Sequence, residues 1–350
     1  VGYWLKEHFS RIRIKNMGLK MIKINSRFYI SLLIVLFFVF GCAHHKKLPM
    51  EPSLTIYAAR DDSDSLLLKY APLFLTYDYQ NSYNHIGRPE ARKNENGKIN
   101  IFVNHEKPVI YTLERTFSTS RGSYTNLIYR VHFPKVPFSL IPFNLTMGNN
   151  VGLIVVITLD HQLNPLLVST VHTCGCYLAI VPASDLPESA LPQCWKEKPL
   201  NVYGEVLPAV LDFRDKENSR LLVHLRPQVH RVMNLEIVDD QKLEASPYFR
   251  IISASLAPVE KLEELSVNND NISFFYDAGL LNGHVRGSVK PWETMFLSVI
   301  SLDLFVGADK AYDDPQKTGN PFYTSLKPWN RNKSNMWYFA DFLKFWGWEL

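Results

Sequence analysis

The sequence predicts a mainly β fold, an antiparallel β-sandwich or strongly bent sheet with C-terminal helices packed on it, and three observations carry that expectation. Residues 124–133 alternate, with Leu127, Tyr129, Val131 and Phe133 on one side and Asn126, Arg130 and His132 on the other, the period of a half-buried strand. Short apolar runs then recur with Gly, Pro, Asn and Asp clusters between them, a spacing that suits strands and turns rather than βαβ units. Aromatic residues make up 13% of the chain, which favours pleated surfaces over a helical bundle.

Taken in order, residues 1–20 fit no leader pattern, and the leading Val with Met17 and Met21 downstream points to a start set too early. Residues 21–41 hold a basic stretch with Lys23 and Arg27, an apolar run over 28–40, and then Gly41-Cys42. That order resembles a bacterial lipoprotein signal with its lipobox, with Phe40 where a small residue is usual. The resemblance implies a thioether-linked diacyl group on Cys42, which becomes the mature N-terminus. Ala43 after the cysteine, in place of Asp, implies an outer-membrane lipoprotein facing the periplasm. The apolar run of about 13 residues is shorter than the roughly 20 that a spanning helix needs. Residues 42–64, with two His, Lys46, Lys47 and an Asp-rich end, read as a tether.

Residues 65–350 then form a single β-rich domain. A short helix or extended entry over 65–74 comes first, followed by strands at 99–103, 108–113, 124–133, 152–159, 166–171, 177–181, 220–226, 229–238 and 248–253. Residues 160–165 are the turn between two antiparallel neighbours. A surface helix is expected over 258–265, and from about 290 the chain becomes helical. Pro291 opens a helix that Gly307 follows, and Ser334 caps a second over 335–346 that Gly347 stops. The rings of that tail either pack on the sheet or rest at a membrane interface, where Trp and Tyr are favoured.

Formal net charge is only +4, from 38 basic and 34 acidic residues, so no nucleic-acid surface is indicated. No P-loop, dinucleotide glycine pattern or nucleophile elbow occurs, which argues against nucleotide cofactors and a serine hydrolase. Chemistry concentrates instead in His172-Thr173-Cys174-Gly175-Cys176-Tyr177. On a straight strand, alternate side chains share a face about 6.6 Å apart, so three donors converge on one ion only if the chain bends, most cheaply at Gly175. A divalent metal such as zinc, held by His172, Cys174 and Cys176 with His230 as fourth ligand, is the candidate site. Cysteine and histidine are also ordinary core residues, and Leu178 continues the strand. With Cys42 acylated three cysteines remain, and pairing of Cys174 or Cys176 with Cys194, Cys176–Cys194 foremost, is less strained than a bond between the first two along a strand.

The chain resembles a family of uncharacterised bacterial lipoproteins through Tyr83-Asn84-His85-Ile86-Gly87-Arg88-Pro89, Pro108-Val109-Ile110-Tyr111, the 172–177 motif and Gly307-Ala308-Asp309-Lys310, over residues 70–350. More remotely it is similar to β-rich domains that carry a vacuolar-protein-sorting name. Neither resemblance implies an activity. The expectation is a lipid-anchored envelope binding or structural module with a soft-metal or thiol site. One alternative is a metal- or thiol-dependent enzyme in which His230 or His224 serves as base or ligand. The other is an outer-membrane assembly partner, docking through the aromatic tail onto another envelope protein.

Overall fold

The computed structural model describes residues 54–60, 65–141, 143–214, 219–240, 243, 246–268 and 270–350. Cys42 and residues 1–53, with the leader and most of the expected tether, lie outside the described residues. Leu140, Ile141 and Phe143, the first and last joined by a short bridge, fall outside the compact unit that holds the other described residues. The description below concerns that unit.

Its frame is a ten-stranded mixed sheet that curls around its inner face. One half is an antiparallel meander of β5 (Val109–Thr119), β6 (Gly122–Val136), β7 (Gly148–Leu159), β8 (Pro165–His172) and β9 (Ala179–Pro182). These are the strands whose alternation and turns the sequence displays, including the 160–165 turn, where the Asp160 carboxylate accepts from the amides of Gln162 and Asn164. The other half is built from β1 (Thr55–Ala59), β2 (Leu73–Thr76), β12 (Ser219–Leu225), β13 (Val232–Asp239) and β14 (Arg250–Pro258). Here β1 runs parallel to β14, β2 parallel to β12, and β14 parallel to β5. The sheet is therefore a single curled layer with parallel pairs, where an antiparallel sandwich was one expectation. The tether also ends earlier than expected, because Thr55–Ala59 is a fully buried strand between β2 and β14. Small hairpins β3–β4 (Arg88–Lys93, Ile99–Asn104), β10–β11 (Leu200–Val202, Glu205–Leu207) and β15–β16 (Leu265–Val267, Asp270–Ile272) decorate the frame.

Both faces of the meander are covered, each for a different reason. The inner face gathers Leu127, Tyr129, Val131, Phe133, Val155 and Ile157 with Tyr57 and Phe74 from the opposite half of the curl. Helix α1 (Leu66–Lys69) lies over this core, capped at Ser65, whose hydroxyl accepts from the Leu68 amide. The outer face, carrying Ile128, Ile154, Val156 and Val171, is roofed by the C-terminal segment through Tyr312, Phe322, Met336, Phe339, Phe342 and Trp348. These rings of the tail are thus core and close the sheet, while Trp329, Tyr338 and Trp346 stay exposed. Most of it is turn rather than helix: α2 (Pro291–Ser301), α3 (Pro315–Thr318) and α4 (Phe339–Phe345) are all short. Ser334 does not cap α4. Its hydroxyl instead accepts from the amide of Ser325, pinning two turns together. The surface helix expected at 258–265 is a 3-10 turn over Val259–Glu263.

Candidate functional site

Strand β8 ends at His172, and the motif that follows is a tight turn. The His172 amide donates to the Cys176 carbonyl at 2.9 Å and the Gly175 amide to the His172 carbonyl at 2.8 Å. Closing so short a loop puts Gly175 at φ +88° and Tyr177 at φ +56°. Gly175 is required on a second count, since a Cβ there would sit 2.0 Å from the Tyr323 carbonyl oxygen. The turn replaces strand spacing with convergence: a ring nitrogen of His172 and the two sulfurs all lie within 4.8 Å of one another. The bend at Gly175 that a three-donor site needs is therefore present.

The same turn corrects the expected cysteine pairing. With Cα atoms 5.5 Å apart, Cys174 and Cys176 are bonded to each other, and Cys194 is free and exposed. The Cys176–Cys194 expectation rested on a straight strand, which the structure does not have. His172 is buried, meets Tyr177 edge-on at 4.8 Å, and leaves its Nε2 without a hydrogen-bond partner. Burial, aided by the positive charge of Lys290, pushes its pKa well below the usual histidine value, so the ring is neutral at pH 7.

His230 is not the fourth ligand. Its ring stacks on Phe133 at 4.0 Å, its Nε2 pairs with the Tyr83 carbonyl at 2.8 Å, and it stands outside the converging group. It meets His172 through its backbone instead. Glu205, buried between Arg226 and Arg231, clamps the segment that carries it. Burial draws the His230 pKa down to about 3. His224 lies elsewhere on β12, its ring held between the Tyr77 hydroxyl and Glu236, and takes no part.

Behind the turn lies a buried polar centre. The Thr173 hydroxyl donates to Asp309 Oδ1, the Asp309 amide donates to the Ser288 hydroxyl at 2.9 Å, and Lys290 Nζ stands 3.1 Å from Asp309 Oδ2, an ion pair out of line for a hydrogen bond. Lys310 Nζ donates to the Cys174 carbonyl at 3.0 Å and lies over the Tyr323 ring, while its amide donates to the Thr173 carbonyl. Burial lowers the Lys310 pKa to about 8 and raises that of Glu293, the nearby lysines opposing the rise. On β6, Arg130 Nε donates to His132 Nε2 at 2.9 Å, and both are buried. Two glycines make room. A Cβ on Gly152 would lie 2.9 Å from His132 Nδ1 and from the Thr173 hydroxyl, and one on Gly307 would lie 2.5 Å from a Glu293 carboxylate oxygen.

Five segments far apart in sequence meet here. Gly87 donates to the His132 carbonyl, Tyr111 faces the His132 ring edge-on, and Asp309 and Lys310 hold Thr173 and Cys174. Comparison of the chain with family models, with curated proteins and with solved structures gave no match. Lys290, Asp309 and Lys310 are each no more than 1% exposed, so they position the turn and are closed to a substrate.

On the far side of Tyr323 opens a cleft of about 520 Å³, lined by His284, Asp303, Asn320, Trp329 and Arg331. Asp303 accepts from the Tyr323 hydroxyl and is paired with Arg331, and the His284 pKa is drawn down by burial to about 4. The cleft thus combines amide, neutral imidazole and aromatic groups with one Asp–Arg pair whose charges offset each other, a lining suited to a neutral polar molecule.

Proposed function

We propose that the chain is a lipid-anchored bacterial envelope protein, held at the outer membrane by acylation of Cys42, whose domain is a binding module with a thiol-gated soft-metal site at His172, Cys174 and Cys176. The observation that carries the site is the convergence of three donors on one turn, two sulfurs and the buried His172 imidazole, whose Nε2 has no partner. A neutral imidazole and two thiolates are donors that zinc favours, leaving one coordination position for water or a ligand.

The two bonded sulfurs cannot serve as thiolates. A dithiol reductant supplies two electrons and two protons, is itself oxidised to a disulfide, and converts the Cys174–Cys176 bond into two thiols; zinc then displaces the two protons. The Lys310 ammonium on the Cys174 carbonyl favours the thiolate form. The site is thus closed when oxidised and open to metal when reduced.

Zinc titration of the full chain tests this with and without prior reduction. The reduced chain is expected to hold one equivalent through dialysis and the oxidised chain none, and Cys174→Ser and Cys176→Ser each to lose binding by at least about tenfold. Cys194→Ser should leave binding unchanged. Equal zinc content in the reduced wild type and in both serine variants would remove the metal reading. Anchoring is checked separately, by mass analysis of the mature N-terminus, where an acyl-modified Cys42 is expected and an unmodified one would overturn it.

A further inference from the structure

Helix α2 is built inside out. It buries Glu293 against the polar centre and Ser301 against its own backbone, while Met295, Phe296, Val299, Ile300, Leu302 and Leu304, on the helix and the turn after it, face outward. Val299 is 80% exposed, Leu302 and Leu304 each 73%, and every exposed side chain in residues 288–305 is apolar. Soluble surfaces rarely present so continuous an apolar face unless something covers it. Leu302 adds an independent sign. It closes the helix at φ +50°, a position glycine occupies without strain, yet a leucine stands there with its side chain turned out.

We propose that this face seats in the acyl region of a lipid bilayer, with α2 lying in the plane of the interface. The helix has 11 residues, about 16 Å long, which suits a surface-lying element. No helix among the described residues is long and apolar enough to cross a membrane. The absence of an exposed charge on the face matches hydrocarbon rather than a charged partner. The chain itself brings such a phase within reach: Cys42 precedes Leu54 by 12 residues, an extended span of about 40 Å, so a domain attached there stays within roughly its own diameter of the bilayer. The proposal rests on the membrane attachment proposed above and adds a second, reversible contact. It also relocates the membrane contact that the C-terminal aromatics suggest, since Phe339, Phe342, Leu343 and Trp348 are buried.

The test uses the full chain on phosphatidylethanolamine and phosphatidylglycerol vesicles doped with a phospholipid carrying a diazirine in its acyl chain. After illumination, adducts are mapped by mass spectrometry. Peptides covering 295–304 are expected to carry several-fold more adducts than the peptide covering the 160–164 turn, in addition to adducts at the N-terminal segment. Val299→Asn with Ile300→Asn, both at exposed positions, should keep the thermal midpoint and remove the helix adducts alone. Adducts confined to the N-terminal segment would overturn the helix contact and leave the anchor standing. Adducts on the helix with none at the N-terminus would overturn the anchor and leave the helix contact. A face that gives no lipid adduct, in a chain that sediments as a dimer which Val299→Asn with Ile300→Asn dissociates, would assign it to a second copy and overturn the proposal.

Discussion

Replacing Asp309 by Ala is expected to destabilise the domain by about 3–5 kcal/mol, measured as the loss in urea-unfolding free energy at pH 7. The substitution leaves Lys290 as a buried ammonium without its counter-charge and the Thr173 hydroxyl without its acceptor. Most of the cost comes from the uncompensated charge. Asp309→Leu combined with Lys290→Met should therefore recover most of it, since an apolar pair of similar volume does about as well as a buried ion pair. A cost below about 1 kcal/mol for the single variant would mean that the pair is hydrated in solution. Because Thr173 and Lys310 hold the cysteine turn, the surviving fraction should also bind zinc more weakly after reduction.

Acidification from pH 7 to 5 is expected to lower stability by several kcal/mol before the exposed carboxylates are much protonated. His230 and His284 have folded-state values of about 3 and about 4, against an ordinary value near 6.5, and burial also holds His132 well below it. Above pH 6.5 these rings are neutral in both the folded and the unfolded chain, and they contribute no pH dependence. Below it the unfolded chain takes up protons that the folded chain refuses, so stability falls with pH until the folded values are reached. The slope is about 1.4 kcal/mol per pH unit for each ring, hence about 2 kcal/mol each at pH 5 for His230 and His284. Urea midpoints measured from pH 7 to 5 on the oxidised, metal-free chain provide the check. A flat profile would mean that these rings are protonated in the folded state, and His230→Gln should reduce the proton uptake on unfolding by about one.

What the sequence displayed of this architecture follows from which faces are covered. In β6 the alternation of apolar and polar side chains is intact, while β7 stands out as one long apolar run between turn residues, so those strands are legible, and the curled mainly β sheet with them. Strands β1 and β2 are not legible because, at five and four residues, they show no period and are too short to stand out from the charged and Pro-bearing segments around them. Arg130 and His132 alternate as a solvent-facing side would, yet both are buried, because the C-terminal half supplies the polar lid above them. No local pattern announces that lid: Lys290, Glu293 and Asp309 look like ordinary surface charges until the fold brings them to Thr173. The donors His172, Cys174 and Cys176 were legible as a cluster from residue type. Their pairing was not, since it depends on a tight turn that packs against the Tyr323 carbonyl, about 150 residues further along.

The position of β1 has a mechanical consequence. The strand nearest the N-terminal segment lies in the interior of the sheet, antiparallel to β2 on one side and parallel to β14 on the other. Tension applied along that segment would load both ladders in shear, so their hydrogen bonds would have to fail together rather than unzip one at a time. The same placement delays assembly, because β1 cannot be locked in until β14, almost 200 residues later, has arrived beside it. A domain so threaded resists being pulled from its N-terminus only after the last strand of its sheet is in place.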